Sequence, residues 1–115
     1  MAEDIPVLTV NTLRGADGET VMAVEGDIDL SSADYLRGEL LPTLEHGTTV
    51  LDLAEVGFCD SSGLRVLVEA DRKARKHGAS FRVAGPTAPV ERLLEMTEAD
   101  EVLEIFPTVK AALKH

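Results

Sequence analysis

The sequence is poor in aromatic residues: Tyr35, Phe58, Phe81 and Phe106 make up 3% of its 115 positions, and tryptophan is absent. That argues against a base-stacking platform for single-stranded nucleic acid. Positive charge is scarce too, with 11 lysines and arginines against 21 aspartates and glutamates for a formal net charge of −10. Such a field repels phosphate backbones and anionic lipid, so neither direct nucleic-acid contact nor a membrane partner is expected. The single cysteine, Cys59, cannot close a disulfide within the chain, and no Cys/His cluster has zinc spacing. Asp29, Asp52 and Asp60 would hold a cation only by converging, so no metal and no cofactor are expected. No apolar run approaches the roughly 20 residues of a membrane span, and Met1-Ala2-Glu3-Asp4 lacks the basic start of a secretory signal. The expectation is a cytoplasmic protein.

What remains is ordinary globular material, 44% hydrophobic and 28% charged, enough to build a core in one domain over residues 1–115. Pro6 to Leu13 predicts a first strand and Thr20 to Glu25 a second, joined as a hairpin through Arg14-Gly15-Ala16-Asp17-Gly18. Gly26 to Leu30 reads as a loop. Ser31 with Asp34 three residues on fits a capping box, opening a helix through Tyr35, Leu36, Leu40 and Leu44 that Pro42 should kink or divide. Thr48 to Leu53 predicts a buried strand, with Asp52 near its exposed end and a loop over Gly57 to Gly63. A helix from Ser62 to Lys76 places Val66, Leu67, Ala70 and Ala74 at core spacing and Glu69 four residues before Lys73, a favourable ion-pair order. Ser80 to Ala84 predicts a strand and Thr87 to Glu95 a short helix with Pro89 in its first turn. Val102 to Phe106 predicts a last strand, and Pro107 opens a terminal helix. The order β-β-α-β-α-β-α-β-α predicts an α/β fold, a mixed sheet of four to five strands with about four helices packed on it.

The chemistry concentrates at Asp60-Ser61-Ser62-Gly63, where a strand passes directly into a helix. Open α/β sheets place ligands and partners at the carboxyl ends of their strands. Unpaired N–H groups and the positive end of the helix dipole would hold a phosphate on Ser61 there, while Asp60 would oppose it. The plainer reading makes Ser61 or Ser62 an N-cap and Gly63 a close-packing residue. Enzyme motifs fit poorly. A nucleophile elbow needs G-x-S-x-G and a phosphate loop G-x-x-x-x-G-K-[ST], and neither is present. Cys59, after Phe58 at the end of an apolar stretch, reads as a small buried residue.

Phe58-Cys59-Asp60-Ser61-Ser62-Gly63-Leu64-Arg65-Val66-Leu67 resembles the signature of STAS-domain proteins, specifically the bacterial anti-sigma factor antagonists. Gly26-Asp27-Ile28-Asp29-Leu30-Ser31-Ser32-Ala33 is similar to a second stretch of the same family. The resemblance implies a non-enzymatic partner-switching module with helices packed largely on one side of a mixed sheet. It implies phosphorylation on Ser61, with Ser62 second to it, by a GHKL-type serine kinase that is itself the anti-sigma factor. It further implies that the unphosphorylated form binds this kinase and frees the sigma factor, and that a PP2C-type phosphatase restores the serine. The partner-facing residues so implied are Asp27, Asp29, Ser32, Asp60, Ser61, Ser62, Gly63 and Arg65. Arg65 stands where many relatives carry a small residue, four positions after Ser61 and four before Glu69, so either could be its partner. Two rival readings stand beside this one. In the first, a STAS scaffold or sensory subunit serves another signalling or transport assembly; in the second, a small hydrolase uses Ser61 or Cys59.

Overall fold

The computed structural model describes residues 8–114. They form β1 (Leu8–Arg14), β2 (Thr20–Ile28), α1 (Ala33–Leu40), β3 (Thr48–Cys59), α2 (Ser61–Lys76), β4 (Ser80–Ala84), α3 (Ala88–Met96), β5 (Glu104–Phe106) and α4 (Val109–Lys114). Short 3-10 turns at Leu41–Thr43 and Ala99–Glu101 follow α1 and α3. The sheet runs in the order β1-β2-β3-β4-β5. Only the β1–β2 hairpin is antiparallel; β2, β3, β4 and β5 run parallel. Pro6 and Val7, expected in the first strand, lie outside the described residues.

Alternation along the strands makes two faces. Met22 and Val24 of β2, Leu51 and Leu53 of β3, and Val83 of β4 point to one face. There they meet Leu36 and Leu40 of α1, Val66, Leu67, Ala70 and Ala74 of α2, and Val90 and Leu94 of α3. Val50 and Ala84 point the other way into a small second cluster, which α4 closes with Ala112, Val109 and Leu113. Arg82 of β4 ties α4 down by donating from Nη1 to the Ala112 carbonyl at 2.8 Å. Pro42 sits in the 3-10 turn and divides the expected helix: α1 ends at Leu40, four residues short of Leu44.

Two strands outrun their expected ends. β2 continues through Gly26-Asp27-Ile28, and β3 through Ala54 to Cys59, with Asp27 opposite Phe58 and Ile28 opposite Cys59. At the register irregularities between Ala23 and Glu25 and between Gly26 and Asp27 the extra residues lie on β3. Its buried Leu53, Val56 and Cys59 fall three apart and lose the two-residue sign of a strand, while β2 keeps its alternation through Ile28. Gly26 carries the left-handed backbone at the second irregularity, φ 120°. Asp52 therefore lies within β3 rather than at its end, half-buried on the α4 face, its carboxylate accepting from the Ala54 N–H at 3.0 Å. The expected Glu69–Lys73 pair is replaced by two longer-range bridges: Arg37 to Glu69 at 2.9 Å joins α1 to α2, and Lys73 reaches Glu45 at 3.3 Å. Arg37 lies on α1 and Glu45 in the segment that follows its 3-10 turn, so both bridges tie this stretch of chain to α2. Asp71, buried on α2, is held by Arg75 at 2.8 Å, a buried carboxylate that the helical pattern alone did not flag.

Candidate functional site

The site is built where β2 and β3 end side by side. Each strand passes into a helix through an aspartate and a serine pair. The Asp60 N–H donates to the Ile28 carbonyl at 3.0 Å, which fixes the second loop against the first.

In the first loop, the Asp29 carboxylate accepts from the Ser31 N–H at 2.9 Å and the Ser31 hydroxyl at 2.7 Å. The hydrogen bond from the Ser31 hydroxyl is the main reason that Asp29 titrates below the usual carboxylate range. Ser32, only 1% exposed, donates its hydroxyl to the Asp27 carbonyl at 2.8 Å and accepts from the Asp29 N–H at 3.0 Å. Ser31 and Asp34 thus form no capping box. Ser32 occupies the N-cap position of α1 without bonding to the helix, because both hydroxyls are turned back into the loop.

In the second loop the cap is Asp60, not a serine. Its carboxylate accepts from the Ser62 N–H at 2.8 Å and the Gly63 N–H at 3.3 Å, satisfying two orphan donors of α2. The serines are thereby relieved of capping. Ser61 is exposed in the first turn of α2, and among the described residues its hydroxyl makes no hydrogen bond. Gly63 is buried where no side chain fits: a Cβ there would lie 2.5 Å from Cγ2 of Ile28 and 2.6 Å from Sγ of Cys59. This contact lets the start of α2 press against both strand ends. Cys59 itself is buried, and burial, with Asp60 adding to it, pushes its thiol up to about 12. A thiol so protonated at neutral pH is no nucleophile.

Between α1 and α2 runs an open groove of about 470 Å³ whose lining includes Leu30, Arg37, Ser62, Arg65 and Glu69. Arg65 is exposed on its rim, and with Glu69 held by Arg37 it makes no hydrogen bond or ion pair among the described residues. Leu30 is 82% exposed and Phe58 50% exposed at this same end of the sheet. Sequence reasoning passed over both. Both stand inside the two family-like stretches, but an apolar letter beside acidic and hydroxyl residues gives no sign of which way its side chain faces.

Of the residues expected to face a partner, Asp27, Asp29, Asp60, Ser61, Ser62 and Arg65 reach this surface, Asp27, Ser61 and Arg65 being the most open. Ser32 and Gly63 are buried, so they shape the surface without presenting a side chain on it. Asp29, Asp52 and Asp60 do not converge; among the described residues no group of three or more His, Cys, Asp or Glu side chains could hold a metal ion. Nor is any helix among them long and apolar enough to cross a membrane.

Comparison with known proteins agrees with this architecture. The family described as "Mlab, STAS domain" matches residues 11–105. An anti-sigma-B factor antagonist of Bacillus subtilis (strain 168) is 31% identical over 83 residues, 71% of this chain and 76% of that protein. The anti-sigma-F factor antagonist RsfB of Mycobacterium tuberculosis is 27% identical over 104 residues, 89% of this chain and 84% of that one. The crystal structure of an anti-sigma factor antagonist from Mycobacterium paratuberculosis superposes with a TM-score of 0.84 at 28% identity, covering 93% of this chain and 92% of the other. These relatives are named as regulatory antagonists rather than as enzymes. The chain belongs to the STAS-domain family of anti-sigma factor antagonists.

Proposed function

We propose that this protein is an anti-sigma factor antagonist whose Ser61 is the switch. Unphosphorylated, it binds an anti-sigma factor that is also a GHKL-type serine kinase, and the sigma factor is released. Phosphorylation of Ser61 ends that complex, and a PP2C-type phosphatase restores it. The observation that carries this reading is the exposed, unbonded Ser61 hydroxyl on a rigid helix start, capped by Asp60 rather than by the serine. A kinase can take that hydroxyl without unfolding anything.

The surroundings supply the means of binding and of release. Leu30 and Phe58 offer apolar contact area at the same end of the sheet as the serine, suited to a desolvated interface centre. Asp27, Asp29 and Asp60 already make the surface acidic, so about −1.5 to −2 further charges on Ser61 are opposed by like charge and by desolvation. A hundredfold loss of affinity requires only about 2.7 kcal/mol, which one phosphate in a packed interface can supply.

The test uses the anti-sigma factor captured on the immobilised chain from extract of the source bacterium. Ser61→Ala should retain the affinity of the unmodified protein, and Ser61→Asp should lose about a hundredfold by calorimetry. Equal affinity for both variants would overturn the proposal.

A further inference from the structure

We infer that Arg65 captures the phosphate of phosphorylated Ser61, so that modification both adds negative charge to the partner surface and withdraws its free cation. The inference rests on the reading of Ser61 as the switch and deepens it.

Both residues lie within α2, four positions apart, a spacing that stacks side chains on one helix face with Cβ atoms about 5–6 Å apart. The order is also favourable: the anion is nearer the helix N-terminus and the cation follows it. Competition for Arg65 is weak. Glu69, the other acid within its reach along the helix, is engaged by Arg37 at 2.9 Å, and the Asp60 carboxylate accepts from Ser62 and Gly63. Asp34, also on the groove, lies near enough to Arg37 to act on it electrostatically, and no hydrogen bond or ion pair joins it to Arg65. In the unmodified protein Arg65 thus stands free to meet a carboxylate of the anti-sigma factor. In the phosphorylated protein its guanidinium has a doubly charged partner on its own helix, and a charge-assisted pair of that kind outcompetes a single carboxylate.

The test places phosphoserine at position 61 of the full chain by stop-codon suppression and follows its ³¹P resonance through a pH titration, with and without Arg65→Gln. With Arg65 present, the second phosphate proton should leave below its ordinary value of about 6. Arg65→Gln should raise that value by about half a pH unit, Arg65→Lys should keep most of the shift, and added salt should shrink the difference. The helix N-terminus acts equally in every chain, so the difference isolates the side chain. An identical titration in Arg65→Gln, or a shift that disappears only in Arg37→Gln, would overturn the inference. Because the phosphate is installed without a kinase, this result stands apart from whether a cellular kinase modifies Ser61.

Discussion

The two strand-to-helix loops of this protein start from nearly the same letters and treat their hydroxyls in opposite ways. In Asp29-Leu30-Ser31-Ser32 the aspartate accepts from the N–H two residues on, as Asp60 does in Asp60-Ser61-Ser62-Gly63. Beyond that they part. Ser31 spends its hydroxyl on Asp29, and Ser32 spends its own on the Asp27 carbonyl. In the second loop Asp60 reaches a further N–H, that of Gly63, and the position matching Ser32 holds a glycine with no side chain to bury. The position matching exposed Leu30 is Ser61. One loop therefore consumes its hydroxyls in holding shape, and the other leaves those of Ser61 and Ser62 unbonded among the described residues, with Ser61 the more exposed of the two. A switch residue has to be of the second kind, since its modification must alter a partner's binding without unfolding the domain.

Substitutions can break this contrast, and the largest effect is expected at Gly63. Gly63→Val puts branched carbon into space held by Ile28 and Cys59 and should cost about 2–3 kcal/mol in chemical denaturation. The same chemical deletion then separates the loops. Ser32→Ala leaves the half-buried Asp29 N–H without its acceptor and should cost about 1–2 kcal/mol, whereas Ser61→Ala should stay within about 0.5 kcal/mol of the parent. Equal losses would mean that Ser61 also bears structure.

The smallest effect is a titration. Asp29 is held below the usual carboxylate range, chiefly by the Ser31 hydroxyl. A carboxylate depressed in the folded state stabilises it above its unfolded pKa, and that contribution is lost as pH falls through the folded value. Ser31→Ala should raise the Asp29 pKa, read from its carboxyl ¹³C shift, and any stability gap from the parent should close toward acid pH.

Much of the architecture was legible from the sequence because the core-facing positions keep their periods. Val66, Leu67, Ala70 and Ala74 on α2 fall into the core as the helical spacing required. The far end of β3 was not legible, because Val56 and Cys59 are buried three residues apart with exposed Gly57 and Phe58 between them, a pattern that no two-residue alternation detects. The end of β2 keeps its alternation through Ile28, but Gly26 and Asp27 read as loop residues. The serine loop was visible as a motif, but its hydrogen bonding was not. A serine before a helix reads as a cap, and only the placement of Asp60 shows that the cap is taken. Ion pairs between helices, such as Arg37 with Glu69, depend on which helices pack together and leave no mark along the chain.

The central claim is that the exposed, free hydroxyl of Ser61, and neither the half-buried one of Ser62 nor a bonded one of the first loop, receives the phosphate. Incubation of the protein, Ser31→Ala and Ser61→Ala with the captured anti-sigma factor and ATP, followed by peptide mapping, tests it most directly. The account predicts one phosphate, on Ser61, unchanged in Ser31→Ala and absent from Ser61→Ala. Phosphate on Ser31, or undiminished phosphorylation of Ser61→Ala, would contradict it.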